Sequence, residues 1–385
     1  MEDAEYVVVG AGALGLAAGR AVARRGHGVV VLERATVGHA GSGSKGTARI
    51  FRLGYDDPVY VRLAMVSLTL WRRLEAESGV PLLTVTGQLT FGDDLGRLTD
   101  ALDAAGAAYE KLAPIAATER FPAVACAGPV VFEPDSGVIA ADACLATLRR
   151  EPGVEVREAT TVVSCHDDGR RVRIVVEGDG RRRSVWASVV VVCAGPATAA
   201  LVAGAAVWPG TAPTSEQVLY LRPPAAGLGT VPVVVERRRP WFYALPDPGR
   251  GLLKISLHGA GPALSLEALA DPATAEADDP ALVGALMTAA RRVLPRCPPE
   301  PVAGERCVYD NSPDGGFVLD RIGRLVIGAG TSGHGFKFVP LLGEWMAQLA
   351  TGEMTGGSLV GYEDRRRFSV DRLASLGTGP PPVHL

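Results

Sequence analysis

Lysine is scarce in this sequence. Of the 39 basic residues among 385, only Lys45, Lys111, Lys254 and Lys337 are lysine. A chain that uses arginine almost everywhere keeps lysine chiefly where a compact ammonium on a flexible stem does what a planar guanidinium cannot, so each of the four is a candidate for a specific task. Excess charge is also missing. The formal net charge is −3, and the Arg181 to Arg183, Arg237 to Arg239 and Arg365 to Arg367 runs are short and scattered. They read as solvated faces, which leaves no electrostatic case for a nucleic acid partner. No apolar run reaches the roughly 18 residues of a spanning helix. The first apolar stretch, Tyr6 to Gly19, is broken by glycines and has no basic segment before it. No membrane partner is expected, and the expected location is cytoplasmic. The six cysteines show no CxxC spacing and the six histidines are dispersed, so neither a metal site nor a disulfide framework is indicated and reduced thiols are expected.

What is present is ample core: 47% of residues are hydrophobic, enough for two domains or one large α/β assembly. Tyr6-Val7-Val8-Val9 reads as a buried parallel strand and runs into Gly10-Ala11-Gly12-Ala13-Leu14-Gly15. A helical pattern then extends to Arg25, Gly26 follows as a C-cap, and Val29 to Leu32 form a second buried strand ending in Glu33 and Arg34. This is a complete βαβ unit. Gly10 permits the tight turn, Gly12 lets backbone approach a pyrophosphate, Gly15 allows close helix packing, and Glu33 can hold adenosine ribose hydroxyls. NAD and FAD share the ADP moiety that such a unit grips, so both stay open on this motif.

Later segments return to the same architecture. Ser188 to Val192 and Leu325 to Gly328 read as further buried strands, and helical spacing from Phe338 stops at Gly352. Between them, Leu82 to Phe91, Val130 to Phe132, Val218 to Leu221, Val231 to Val235 and Leu252 to Leu257 read as strands of a largely antiparallel sheet in an inserted domain. Ala263 to Leu294 reads as helix in two parts, broken around Asp278-Asp279-Pro280, and Pro380 to Pro382 as a frayed end. No internal repeat is evident.

Several rarer motifs occur in one order: Gly46-Thr47-Ala48-Arg49-Ile50-Phe51-Arg52, Glu133-Pro134-Asp135-Ser136-Gly137, Arg306-Cys307-Val308-Tyr309 and Gly333-His334-Gly335-Phe336-Lys337-Phe338. Together with the opening fingerprint they resemble the family of amine-oxidising flavoproteins that includes monomeric sarcosine oxidase, N-methyltryptophan oxidase and pipecolate oxidase. The resemblance implies FAD rather than NAD. It implies a Rossmann-like FAD-binding domain, expected over 1–80, 145–205 and 300–385, with an inserted, mainly antiparallel substrate-binding domain over 81–144 and 206–299.

The same resemblance implies roles for single residues. Cys307 matches the cysteine that forms a thioether to the flavin, a reaction that a nearby cation aids by favouring thiolate. Lys254 matches a lysine beside the flavin that helps electrons pass to oxygen; His258, at the same strand parity, and Tyr243 match residues of the substrate pocket. Arg52 and Lys337 resemble the pair that grips a substrate carboxylate, the first as a planar fork and the second as a point charge. Gly335 and Lys337 also fall among the cofactor contacts, and Arg49 matches a cation near the flavin ring. One departure stands out: Lys45 occupies the position where the family commonly has histidine. An ammonium can steer a thiolate or bind an anion, and it does not act as a neutral imidazole acceptor. Lys111, in Tyr109-Glu110-Lys111, reads as surface.

The expected function is therefore an FAD-dependent oxidase that converts the C–N bond of a small amino or imino acid to an imine, with oxygen reduced to hydrogen peroxide. The rivals are a dehydrogenase passing electrons to a quinone or carrier, and a flavin-bearing subunit without catalysis. Lys254 argues against the first, and the set Arg52, Lys254 and Lys337 against the second.

Overall fold

An uninterrupted apolar strand is stable only with both faces covered, and Val7-Val8-Val9 meets that condition. In the computed structural model, which describes residues 3–205, 208, 210–270, 278–353 and 366–373, β1 (Ala4–Val9) lies between parallel neighbours. On one side is β2 (Val29–Leu32), with Val7 opposite Val30, and on the other β12 (Arg181–Val192), with Val7 opposite Val190. The chain divides into two units, Met1–Lys45, Cys144–Pro213 and Tyr309–His384, and Gly46–Ala143 and Thr214–Val308.

The first unit is a doubly wound α/β layer. Its parallel strands run in the order β9 (Val154–Arg157), β2, β1, β12 and β19 (Leu325–Ala329), with β18 (Val318–Ile322) antiparallel at the edge. The first half of β12 leaves the parallel core and pairs antiparallel with β11 (Val172–Gly178), which pairs with β10 (Thr161–Asp167). Helix α1 (Ala13–Ala23) is alanine-rich and approaches α8 (Val339–Thr351) so closely that a Cβ on Gly343 would sit 2.7 Å from Ala17. A short α6 (Thr198–Val202) follows β12, and the chain enters this unit a second time through α5 (Ala141–Arg149). Val7, Val9, Leu32, Ile174, Val190, Val192, Leu325 and Ile327 form its core.

The second unit is built on one long sheet. Its order is β17 (Pro301–Asn311), β13 (Ala212–Leu221), β16 (Leu252–Leu257), β15 (Phe242–Asp247), β14 (Val233–Arg237), β5 (Gln88–Gly92), β7 (Val130–Glu133) and β6 (Glu110–Leu112). The β14–β5 pair is parallel, whereas β13–β16, β16–β15, β15–β14, β5–β7 and β7–β6 are antiparallel. A small antiparallel sheet of β3 (Ala48–Phe51), β8 (Gly137–Ala140) and β4 (Leu83–Val85) accompanies it. Side chains alternate across a strand, and the sequence uses that alternation to make two unlike faces. Leu89, Phe91, Val234, Phe242, Ala244, Leu253 and Ile255 pack with Leu286, Met287, Ala290 and Val293 of α7 (Pro280–Val293). The other parity carries Tyr220, Tyr243, Asp247, Lys254 and Ser256.

Differences from the sequence reading have local causes. Residues 46–80 and 300–308 belong to the second unit, because β3 pairs with β8 and β17 joins β13. Helix α1 ends at Ala23, and Arg24 to Gly26 form a turn with Gly26 at φ 87°. Of the two helical parts expected in Ala263 to Leu294, the second is α7, capped by Asp279 Oδ1 accepting from Ala281 N at 3.0 Å. The first is no helix over 263–267; a single 3-10 turn, Ala268–Ala270, leads to 271–277, which lie outside the described residues, as do Arg365 and Pro380 to Pro382. Helix α2 (Pro58–Ser78) had no counterpart in the sequence reading, although its signals are there: Asp57 accepts from Val59 N at 2.9 Å, Pro58 starts the helix, and Gly79 ends it at φ 68°. The shorter α3 (Gly96–Ala105) and α4 (Pro114–Arg120) complete this unit's described helices.

A methyl group on Gly15 would come 1.9 Å from the Gly10 carbonyl oxygen, whereas nothing lies within 4 Å of one on Gly28. Gly15→Ala is therefore expected to lower unfolding free energy in urea by roughly 1–3 kcal/mol, and Gly28→Ala to change it by less than about 0.5 kcal/mol. Equal midpoints for the two variants would contradict the close packing of α1 on its loop.

Candidate active site

The first unit offers a dinucleotide cradle. Gly10 sits at φ 96°, with room for no Cβ beside the Cys193 carbonyl oxygen at 2.4 Å. Gly12, the N-cap of α1, has no side chain of its own to bond the first turn, so helix N–H groups other than that of Ala13 remain for an anion. Ser44 Oγ accepts from Ala13 N at 2.9 Å and ties the segment before Lys45 to this turn. Glu33 is buried; its carboxylate accepts from Ala11 N at 2.8 Å and Ala35 N at 3.1 Å. An ionised carboxylate accepts about four hydrogen bonds, so ribose hydroxyls still find acceptors there. His39 Nε2 lies 3.6 Å from Glu33 Oε1, and burial, against the pull of Glu33, leaves its pKa below the usual histidine value, with Arg34 and Lys45 pushing the same way. Lys45 thus lies near His39 in this unit, in a turn closed by its N–H on Ser42 O at 3.3 Å. Arg34 is exposed. The glycine geometry, the helix N-terminus and the buried acid fit the ADP half of FAD.

Lys337 lies in a 3-10 turn, Phe336–Phe338, that leads directly into α8. Its Nζ donates to His334 O at 3.0 Å and stands 5.6 Å from the Phe338 ring centroid, and the residue is buried. Gly335 is required there by crowding, since a Cβ would meet Thr331 Cβ at 2.5 Å.

The second unit gathers charge on the polar face of its sheet. Tyr220 on β13 and Leu245 on β15 flank Lys254 on β16. Lys254 is 3% exposed, and its Nζ donates to Ala48 O at 3.4 Å and lies 3.9 Å from Glu305 Oε1. Arg49 Nη1 donates to the same Ala48 carbonyl at 2.9 Å, and its Nη2 lies 3.9 Å from Cys307 Sγ. The thiol thus has a fixed cation beside it. Burial works against the Arg49 charge, but Cys307, Tyr243, Glu305 and Tyr220 outweigh it and leave its pKa raised. For Lys254 the balance goes the other way: burial first, and then the Arg49 charge, push its pKa down to about 8. Tyr220 donates to Glu305 Oε1 at 2.5 Å, Thr47 to Asp247 Oδ2 at 2.5 Å, and Arg250 faces both acids, at 3.6 Å from Glu305 and 3.9 Å from Asp247. Gly46, at φ 96°, lies over this cluster: a Cβ there would be 3.5 Å from Arg49 Nη1 and 4.0 Å from Lys254 Nζ.

Arg52 is placed by a buried acid. Glu133 is wholly buried, and its carboxylate accepts from Leu53 N at 3.1 Å, Gly54 N at 2.7 Å, Gln88 Nε2 at 2.9 Å and Ser136 Oγ at 3.0 Å. Those bonds fix the backbone immediately after Arg52. The guanidinium is buried over the Tyr55 ring at 4.5 Å, and Tyr55 stacks on Tyr60 with centroids 5.2 Å apart. Among the described residues no carboxylate lies within ion-pair distance of Arg52.

The structure thus brings Arg49, Lys254 and Cys307 together in the second unit, with Tyr243 on the same sheet face, and Gly10, Gly12, Gly15 and Glu33 together in the first. His258 stands one residue past the end of β16 at Leu257, and its N–H donates to Trp241 O at 2.7 Å. Sequence reasoning passed over Glu305, Tyr220, Asp247 and Thr47. The signal for Glu305 was available, because it stands two residues before Cys307 and so shares its face of the strand. The six cysteines are free, and among the described residues no group of three potential ligands could hold a metal and no helix is long and apolar enough to cross a membrane.

Comparisons with known proteins agree with this geometry. A family model described as FAD dependent oxidoreductase matches residues 5–349. The chain is similar to the peroxisomal sarcosine oxidase of Homo sapiens, at 29% identity over 97% of each chain. It is also similar to the monomeric sarcosine oxidase of a Bacillus species, at 28% identity over 90% of this chain and 92% of that one. Among solved structures, NikD, an unusual amino acid oxidase essential for nikkomycin biosynthesis, superposes with a TM-score of 0.78 at 26% identity, covering 100% of this chain and 99% of the other.

The lowered Lys254 pKa has a consequence for stability. Below pH about 8 the lysine is protonated in both folded and unfolded states and its burial is fully unfavourable; between about 8 and the ordinary 10.5 the folded state has released the proton and the unfolded state has not. Stability contributed at this position therefore rises with pH across that window. Chemical denaturation from pH 7 to 10.5 is expected to show the parent gaining on Lys254→Met as pH rises, and a constant difference would show that the buried ammonium titrates normally.

Proposed function

The chain belongs to the FAD dependent oxidoreductase family, and from that premise we propose that it is an oxidase acting on the C–N bond of a small amino or imino acid, such as an N-methyl or cyclic amino acid. The observation that carries this reading is the buried Lys254 ammonium beside Arg49 and Cys307. Bound FAD would supply the two-electron chemistry that links oxidation of the amine to an imine with reduction of dioxygen to hydrogen peroxide.

The protein's part is position and charge. Lys254 offers a positive point in a place with little water, where reduction of dioxygen creates an anion that such a charge stabilises. Arg49 stands 3.9 Å from the sulfur of Cys307, the residue read as the point of flavin attachment, and supplies a second fixed cation for negative charge on the ring. Arg52, a buried guanidinium held in place through Glu133 and without an acidic partner among the described residues, is free to form two parallel hydrogen bonds to a substrate carboxylate. Lys337 keeps the role that the resemblance gives it, a positive charge toward a carboxylate or the flavin's pyrimidine edge, and Tyr243 with His258 that of shaping the substrate pocket. Gly10, Gly12, Gly15, Glu33 and Arg34 serve the ADP half. The relatives named sarcosine oxidase and the amino acid oxidase NikD support a secondary amine or amino acid substrate and oxygen as the acceptor. Six free thiols fit a reducing compartment, which supports the cytoplasm as the site of action.

Two measurements test this. In stopped flow, Lys254→Met is expected to slow reoxidation of the reduced enzyme by oxygen about 100-fold or more while changing anaerobic reduction by substrate far less; equal slowing of both steps would defeat the assignment. After acid precipitation, yellow colour is expected to stay with the parent polypeptide and to enter the supernatant for Cys307→Ser. Free flavin from the parent would show that Cys307 makes no covalent bond.

A further inference from the structure

A buried ammonium needs a counter-charge, and the groups facing Lys254 differ in how well they can serve. Arg49 on β3 repels it. Tyr220 on β13 keeps its proton, and Cys307 on β17, in the reading above, is taken up in a neutral thioether to the flavin. Asp247 on β15 is engaged elsewhere: Oδ2 accepts from Thr47, Oδ1 from Arg250 N at 3.3 Å. Among the described residues, Glu305 is the one carboxylate within ion-pair distance of Nζ, at 3.9 Å. Its placement is built from two sides. Oε1 accepts the Tyr220 hydroxyl at 2.5 Å, from a side chain that is itself fully buried, and Oε2 faces Arg250 Nη2 at 3.6 Å, while the Arg250 guanidinium covers the Tyr220 ring at 4.4 Å. Burial and the bond to Glu305 raise the Tyr220 pKa, so the phenol keeps its proton and remains the donor.

We propose that Glu305 is a positioning residue for the oxygen half of the reaction: its carboxylate, held by Tyr220 and Arg250, keeps the buried Lys254 in its ammonium form. The inference rests on the oxygen-side reading of Lys254 given above. Removing the negative charge leaves Lys254 facing Arg49 and a dry environment, both of which expel its proton, so the lysine becomes neutral at lower pH. Removing the Tyr220 hydroxyl has the opposite sign. The carboxylate then loses its donor and directs undiminished charge at the two cations.

The scarcity of lysine makes the test direct. With only four lysines in the chain, holoenzyme carrying lysine labelled at Cε gives few NMR signals, and that of Lys254 is the one missing from Lys254→Met. Its titration midpoint, near 8 in the parent, is expected to fall by about one pH unit or more in Glu305→Gln and to rise in Tyr220→Phe. An unmoved midpoint in Glu305→Gln overturns the proposal; if that variant does not fold, an unmoved or lowered midpoint in Tyr220→Phe overturns it. Stopped-flow reoxidation of the same samples tests the premise separately. A rate whose pH profile follows the shifted midpoint supports both, whereas a midpoint that shifts without the rate leaves Glu305 as the counter-charge that holds the Lys254 proton and removes the oxygen role of both residues.

Discussion

Positive charge held out of water is the constraint around which the second unit is organised. A single buried ammonium is unfavourable unless it is paired, hydrogen-bonded or deprotonated, and here Lys254 is placed beside a second cation, Arg49. The surrounding sheet answers with polar groups that arrive at that spot by strand register: Tyr220 opposite Lys254 on one side, Glu305 from the strand that carries Cys307, and the Ala48 carbonyl from the small sheet. The strain of like charges is left only partly relieved, as the depressed lysine pKa records. A group poised to change charge near pH 8 is common at catalytic sites.

The two faces of the long sheet explain how so polar a cluster is tolerated. One parity of side chains is buried under α7 and supplies the apolar burial that holds the strands in place. The other is then free to carry acids, cations and phenols, with stability supplied from behind. The small sheet contributes differently. Its β3 presents Arg49 by strand geometry, while the turn beyond Phe51 is anchored by Glu133, whose hydrogen bonds hold backbone N–H groups rather than a charge partner. The first unit works by crowding instead: Gly10, Gly15 and Gly335 each stand where a Cβ would strike a neighbour, so turn, helix and strand pack at backbone distance.

Much of the fold was legible because its signals are local. The run Val7-Val8-Val9, the glycine spacing after it and the alternation around Lys254 each state their environment within a few residues. The helix over Pro58 to Ser78 went unread even though Asp57, Pro58 and Gly79 mark its ends, and the two compact units depart from the expected bounds where pairing across distant sequence, β3 with β8 and β17 with β13, decides them. Among site residues, those with rare identities or motif contexts, such as Cys307 and Lys254, stood out. Glu305 and Glu133 did not, since a glutamate among many announces nothing until the strands that surround it are in place.

The account stands or falls on where the electrons go. With an amine that bleaches the flavin anaerobically, hydrogen peroxide should be counted against amine consumed in air-saturated buffer without any added acceptor. The account predicts one peroxide per amine oxidised. Turnover that stalls in air and resumes only with a quinone or dye, with no peroxide formed, would contradict it.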